Sequence, residues 1–235
     1  MRIDKFFSEL GLMSRKECAK ACRLGEILAN GKAVTDPATH IDEYKTEIRW
    51  QGDVVVYKKF VYVMLNKPEG YVSSTEERGE KVVTELLPKN LQKRGLFPCG
   101  RLDKITLGLM ILTNDGQAAH RALSPNHHVT KKYRFTLADE LREGALPMLE
   151  GGIMLSGGEQ TKPCKIEMHG KKEGIITLTE GKYHQVRRMF AAVGNRVEYL
   201  ERVEFATIPL DPCLERGQWR YLTEDEERIF LDKDE

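Results

Sequence analysis

Asp103 sits where a charged side chain can meet a substrate. Its surroundings read Gly100-Arg101-Leu102-Asp103-Lys104-Ile105-Thr106-Leu107-Gly108, then Leu109-Met110-Ile111-Leu112-Thr113-Asn114-Asp115-Gly116. The apolar run 109–112 is short enough for a buried strand. Gly108 and Asn114-Asp115-Gly116 punctuate its two ends as turns. A carboxylate and a guanidinium, Asp103 and Arg101, are thus predicted on a loop that feeds the interior of a sheet, where catalytic groups are often held. Local pattern equally allows Asp103 and Thr106 to be turn caps. A second charged group, Lys182, Arg187 and Arg188, falls near the start of a predicted helix. Cations there oppose the helix dipole and call for an anionic partner or for solvent. Tyr133, on an alternating stretch, reads by itself as a core tyrosine.

The elements that must carry these residues follow from periodicity. Residues 130–137 alternate, with Tyr133, Phe135 and Leu137 on one face and Lys132, Arg134 and Thr136 on the other. Residues 174–180 read as another strand. Gly181 then turns the chain into a helix with Val186, Met189, Phe190 and Val193 on one face, stopped at Gly194-Asn195. Val61-Tyr62-Val63-Met64-Leu65 reads as a buried strand and Asn66-Lys67-Pro68-Glu69-Gly70 as a turn, with Pro68 holding Lys67 extended. Residues 86–98 read as an irregular connection. A short helix follows Asn114 or Asp115 as N-cap. Another is expected over 141–149, shortened by Pro147, and mixed strand over 197–210. Thr223-Glu224-Asp225-Glu226 is a capping box for an acidic terminal helix.

Near the N-terminus, Ile3, Phe6, Phe7 and Leu10 stand at helical spacing, and Ser14-Arg15-Lys16-Glu17 is a capping box for a second helix ending near Gly25. Asn30-Gly31 between apolar runs is a hairpin signal, because both turn positions need positive φ. A strand is read over 54–57. Bulk composition agrees with a folded soluble protein: 235 residues, 40% hydrophobic and 31% charged. No apolar run approaches the ~18 residues of a membrane span. The start, Met1-Arg2-Ile3-Asp4-Lys5, has no apolar core of a secretory signal. Five scattered cysteines imply free thiols in a reducing cytoplasm. Cys18 and Cys22 lie one helical turn apart and read as buried thiols, and the adjacent His127 and His128 cannot readily converge on one ion, so no metal is expected.

Net charge is +1, yet its distribution is uneven. Residues 1–32 carry seven Lys/Arg against four Asp/Glu, whereas residues 223–235 carry two against seven. A mildly basic remainder is compatible with RNA as partner, and equally with a solvated face.

The order helix, Ser-Arg-Lys-Glu helix, then Ala29-Asn30-Gly31-Lys32-Ala33-Val34-Thr35-Asp36 resembles the S4 RNA-binding module. That resemblance implies backbone contacts to structured RNA from Arg2, Arg15, Lys16, Lys20, Arg23 and Lys32. It places this domain at residues 1–57 and a second at 60–235. In the second, the run Gly100 to Gly116 resembles the active-site motif of the pseudouridine synthases. Lys131-Lys132-Tyr133-Arg134-Phe135-Thr136-Leu137 resembles their tyrosine strand, and Glu180-Gly181-Lys182-Tyr183-His184-Gln185-Val186-Arg187-Arg188-Met189-Phe190 their basic motif. Asn66-Lys67-Pro68-Glu69-Gly70-Tyr71-Val72-Ser73-Ser74 and the closing Trp219-Arg220-Tyr221-Leu222-Thr223-Glu224-Asp225-Glu226 fit as well. Within that family the chain is most similar to the branch with an S4 module that modifies small-subunit ribosomal RNA (the RsuA type).

The resemblance implies an α+β fold: a small S4 module, then a mixed, mainly antiparallel sheet with flanking helices and a central cleft. It implies Asp103 as the active-site carboxylate, Tyr133 against the uracil, and Arg187 as the ionic partner of Asp103. Arg101, Thr106, Lys182, Val186 and Arg188 are implied at the substrate. The reaction breaks the N1–C1′ bond of uridine, turns the uracil and joins C5 to C1′. Nothing is oxidised and no group leaves, so no cofactor is implied. The carboxylate can attack C1′ or C6, or support a glycal route. The target must be flipped out of its helix. The implied substrate is ribosomal RNA, specifically uridine 516 of the 16S RNA, free or in an assembling small subunit. A cytoplasmic monomer without a membrane partner is expected. A large-subunit (23S) enzyme and a non-catalytic S4-type ribosome-assembly protein are the alternatives.

Overall fold

The computed structural model describes residues 1–123 and 129–231; His127 and His128 lie outside the described residues. In chain order the elements are α1 (Ile3–Glu9), α2 (Arg15–Arg23), β1 (Ile27–Ala29), β2 (Lys32–Ala33), β3 (Ile48–Trp50), β4 (Asp53–Val55), β5 (Tyr62–Lys67), β6 (Tyr71–Val72), β7 (Lys81–Val82), α3 (Lys89–Gln92), β8 (Phe97–Pro98) and β9 (Leu107–Thr113). There follow α4 (Gly116–Leu123), β10 (Lys131–Leu137), α5 (Ala145–Glu150), β11 (Lys165–Met168), β12 (Glu173–Leu178), α6 (Gln185–Ala192), β13 (Val197–Phe205), β14 (Ile208–Pro209), β15 (Trp219–Tyr221) and α7 (Glu224–Leu231). The fold is α+β.

The chain divides into two compact units. One comprises Met1–Val61 with Leu87–Leu96, the other Tyr62–Leu86 with Phe97–Glu235. In the first unit, α1 and α2 bury Ile3, Phe6, Phe7, Cys18 and Cys22 over a sheet of order β2-β1-β3-β4. Ser14 and Glu17 form the reciprocal cap of α2, with bonds of 3.3 and 2.6 Å. Asn30 and Gly31 have φ of +48° and +76° and close the β1–β2 hairpin. The segment read as an irregular connection is partly helical. Gln92 reaches back to donate to the Leu87 carbonyl, and Arg94 donates to the carbonyls of Lys58 and Lys59. A strand at 48–50 escaped the sequence pattern, because only Ile48 of its three residues is fully buried.

In the second unit, a sheet of order β11-β12-β10-β13-β9-β5-β15 is antiparallel except at β13–β9. The central strand β9 has neighbours on both sides, and Leu109 to Leu112 are wholly buried. That explains the unbroken apolar run, since a strand covered on both faces does not alternate. Asp115 caps α4 by accepting from the amides of Gln117 and Ala118 at 3.0 Å. Phe190 of α6 packs on Phe135 of β10 with ring centres 4.8 Å apart. The helix expected over 141–149 begins only at Ala145. Pro147 therefore sits in its first turn, where no intrahelical donor is lost. Thr223 and Glu226 form the cap of α7.

Gly108 is fixed by strand approach. It pairs with Arg202 across the parallel β9–β13 contact, has φ of +97°, and a Cβ there would lie 2.3 Å from the Arg202 carbonyl oxygen. Gly108→Ala should lower unfolding free energy by about 3 kcal/mol, the sum of backbone strain and overpacking. Urea denaturation of wild type and variant checks this.

Candidate active site

The loop between β8 and β9 carries Asp103 and is held from below by one ammonium group. Asp103 to Thr106 make a tight turn, with the Thr106 amide donating to the Asp103 carbonyl at 2.9 Å. Lys67, the last residue of β5, is fully buried beneath it. Its Nζ donates to the carbonyls of Pro68, Asp103, Lys104 and Thr106 at 2.8–3.2 Å. Burial pushes this lysine down to about 8, while the charges of Asp103 and Glu69 pull it back up. The Gly70 amide donates to the Lys104 carbonyl, and the Ser73 hydroxyl bridges the amide and carbonyl of Leu102 at 2.9 and 2.6 Å. Residues 66–70, expected as a turn, therefore form the clamp of the Asp103 loop together with Ser73. Asn66 and Lys67 belong to the strand, and only the residues after Pro68 turn.

Asp103 is about one-quarter exposed, and the Thr106 hydroxyl, itself buried, lies 3.4 Å from its Oδ2. On its other oxygen stands His184, with Nε2 3.3 Å from Oδ1. His184 precedes α6 in the left-handed region, with φ of +47°, a conformation uncommon for a non-glycine residue. Its ring stacks on the exposed Tyr183 at 3.8 Å. Gln185 is buried and ties the approach to α6, accepting from the Lys182 amide and donating to Glu180, both at 2.8 Å.

Asp103, Thr106, Tyr133, Lys182, His184 and Val186 line one pocket of about 80 Å³. It shares Arg101, Asp103, Tyr133, Lys182 and His184 with a larger cleft of about 930 Å³. Six of the residues singled out from sequence thus converge: Arg101, Asp103, Thr106, Tyr133, Lys182 and Val186. Two do not behave as anticipated. Arg188 is committed to Glu159 at 2.7 Å and to the carbonyls of Ser156 and Tyr183, and does not line this pocket. Arg187 makes no direct ion pair with Asp103 among the described residues. It donates to the Val197 carbonyl at 2.8 Å, while its Nε is buried without a partner. Burial lowers its pKa, and Asp103 and then Glu69 oppose that from a distance. The direct neighbour of Asp103 is His184, which sequence reading passed over although it stands three residues before Arg187.

In the first unit, Arg15, Lys16, Lys20, Arg23 and Lys32 are all exposed and unpaired with any carboxylate among the described residues. Lys16, Lys20 and Arg23 share one face of α2, opposite Cys18 and Cys22. Arg2 differs, because the buried Asp4 holds its guanidinium at 2.8 Å.

Family comparison agrees with this geometry. Residues 61–192 match the RNA pseudouridylate synthase family, and residues 1–43 match the S4 domain. The chain belongs to the RNA pseudouridine synthase family. It is 42% identical to an uncharacterized RNA pseudouridine synthase of Bacillus subtilis, with 96% of each chain covered. It is 39% identical to the ribosomal small subunit pseudouridine synthase A of Haemophilus influenzae, covering 96% of this chain and 97% of that one. A crystal structure of a pseudouridylate synthase superposes with a TM-score of 0.70 at 37% identity, over 98% of this chain and all of the other.

In this pseudouridine synthase the clamp is testable apart from the carboxylate. Lys67→Met keeps the aliphatic stem but strips four carbonyls of their donor. We expect a loss of about 3 kcal/mol in stability and, from a misplaced loop, a fall in turnover of about a hundredfold. Urea unfolding and pseudouridine formation measure the two.

Proposed function

We propose that this enzyme isomerises uridine 516 of the 16S ribosomal RNA to pseudouridine, acting as a cytoplasmic monomer on free RNA or an assembling small subunit. The observation that carries the proposal is the meeting of Asp103 and Tyr133 in one pocket, with Asp103 held on a clamped turn. Kinship with enzymes named for the small ribosomal subunit supports the choice of RNA.

The chemistry follows from the groups at hand. The uridine is flipped out of its helix, at a cost of about a few kcal/mol. Its uracil stacks on Tyr133, a contact worth roughly 1–3 kcal/mol. Asp103 acts as an ionised carboxylate, on C1′, on C6 or beside a glycal intermediate. His184 stands at one oxygen and Thr106 at the other, so each carboxylate oxygen has a polar neighbour. Arg187 balances its charge through the protein, not by contact. Val186 and Lys182 bound the pocket, and Arg101 stands at the cleft mouth, where it fills the vacated base position or holds phosphate. The N1–C1′ bond breaks and the C5–C1′ bond forms on the same uracil. Every atom of substrate returns to product, so no cofactor is needed. The S4 module docks the RNA through Arg15, Lys16, Lys20, Arg23 and Lys32, with Arg2 at its edge.

Asp103→Asn retains size and hydrogen bonding but removes the charge. It should bind 16S RNA as wild type does, with turnover lower by about a thousandfold or more. In cells lacking the protein, carbodiimide mapping of both ribosomal RNAs should lose the signal at uridine 516 of 16S RNA. A loss in 23S RNA instead would reassign the substrate. Replacing Lys16, Lys20 and Arg23 together by Ala should weaken RNA binding and flatten its log–log salt slope by about 2, with turnover at saturating RNA unchanged.

A further inference from the structure

Three cations lie beneath the cleft, and only one has its donors fully used. Lys67 is caged as described. Arg202, 1% exposed, donates through Nε to the Leu109 carbonyl at 2.8 Å and rests over the Phe205 ring at 5.0 Å. Lys131 donates to the Val129 carbonyl at 2.8 Å and lies 5.7 Å from the centre of the same ring. Among the described residues, neither Lys131 nor Arg202 has a carboxylate within ion-pair distance. The adjacent Glu201 is engaged by Arg216 at 2.7 Å and Arg134 at 3.6 Å.

This crowding is built by a β-bulge. Along β10–β13, Lys131 faces Phe205 and Lys132 faces Glu204, but Tyr133 faces Arg202, so Val203 is the extra residue. Without the bulge, Arg202 and Phe205, three apart, would project from opposite faces. With it, Arg202 and Phe205 share the face of Lys131 and Tyr133. Both cations line the large cleft together with Asp103 and Tyr133. Burial, and next the charge of Arg202, push Lys131 down to about 8, so the pair is repulsive as it stands. Two desolvated like charges at a cleft floor are stabilised by an anion placed between them and the solvent.

We propose that Lys131 and Arg202 form a phosphodiester-binding subsite on the cleft floor, which takes a phosphate flanking the flipped uridine. The assignment rests on the RNA-modifying activity proposed above. It gives the backbone of an extruded nucleotide a fixed point beside Tyr133, so the nucleotide is held at its phosphate as well as at its base.

The test uses the full-length chain and a 16S RNA fragment. Lys131→Met should weaken RNA binding about tenfold, the scale of one charge-assisted hydrogen bond, and flatten the log–log salt slope by about 0.7. KM should rise by a similar factor with kcat within twofold, and Lys131→Arg should restore both. Unchanged affinity and slope in Lys131→Met would overturn the subsite. A second measurement needs only the wild type: inorganic phosphate, followed by 15N NMR of the lysine side chains, should raise the proton affinity of Lys131. Absence of that shift also counts against the subsite. Failure of the uridine 516 assignment would show instead as missing pseudouridine with the Lys131 effects on binding intact.

Discussion

The turn that carries Asp103 depends on a buried lysine that lines neither the pocket nor the cleft beside it. Lys67 Nζ has three protons and four carbonyl neighbours, and three of those carbonyls belong to the turn that carries Asp103. Carbonyl oxygens forced together repel one another, so a tight turn with several of them on one side is unfavourable without a cation. The buried ammonium removes that repulsion and fixes the turn to strand β5. Because β5 pairs with β9 along its length, the loop and the strand it feeds are referenced to the same rigid sheet. Gly108 completes the arrangement by letting β13 approach β9 closely, which brings Tyr133 and Arg202 within reach of the same cleft.

Charge around the pocket is asymmetric. Asp103 faces His184 directly, with Arg187, Lys67 and Arg202 at greater depth. They leave a surplus of positive charge that the protein does not neutralise. For a protein that handles a polyanion this surplus is a recognition device: affinity is stored as unsatisfied cations and released on contact with phosphate. The exposed basic face of α2 follows the same logic in a solvated setting, where each contact is weaker and more sensitive to salt.

Much of this was legible in the residues. Alternation in β10, the unbroken apolar run of β9, the caps at Ser14, Asp115 and Thr223, and the Asn30-Gly31 turn all follow from local stereochemistry, and local rules are what a sequence carries openly. The residues that meet in the pocket were named because motif resemblance stands in for distances that a sequence does not contain. What escaped was non-local or conditional. Lys67 reads only as an extended turn residue before a proline, because nothing in its neighbourhood announces four carbonyls from residues 68–106. The bulge at Val203 changes which face Arg202 occupies without altering the local pattern. Motif resemblance pairs Arg187 with Asp103, whereas backbone geometry gives the contact to His184. The boundaries of α5 moved because Pro147 is harmless in a first turn and harmful later.

The interleaving of the two units sets an order on synthesis. Residues 1–61 leave the ribosome first, yet the unit they belong to also contains Leu87–Leu96. Gly11 shows how closely these parts fit, since a Cβ there would strike the Asn90 carbonyl oxygen. The first unit therefore closes only after the chain has already made β5, the strand that ends in Lys67. Folding cannot proceed as two independent beads emerging in turn. The nascent N-terminal unit waits, incomplete, until the opening strand of its successor has been translated.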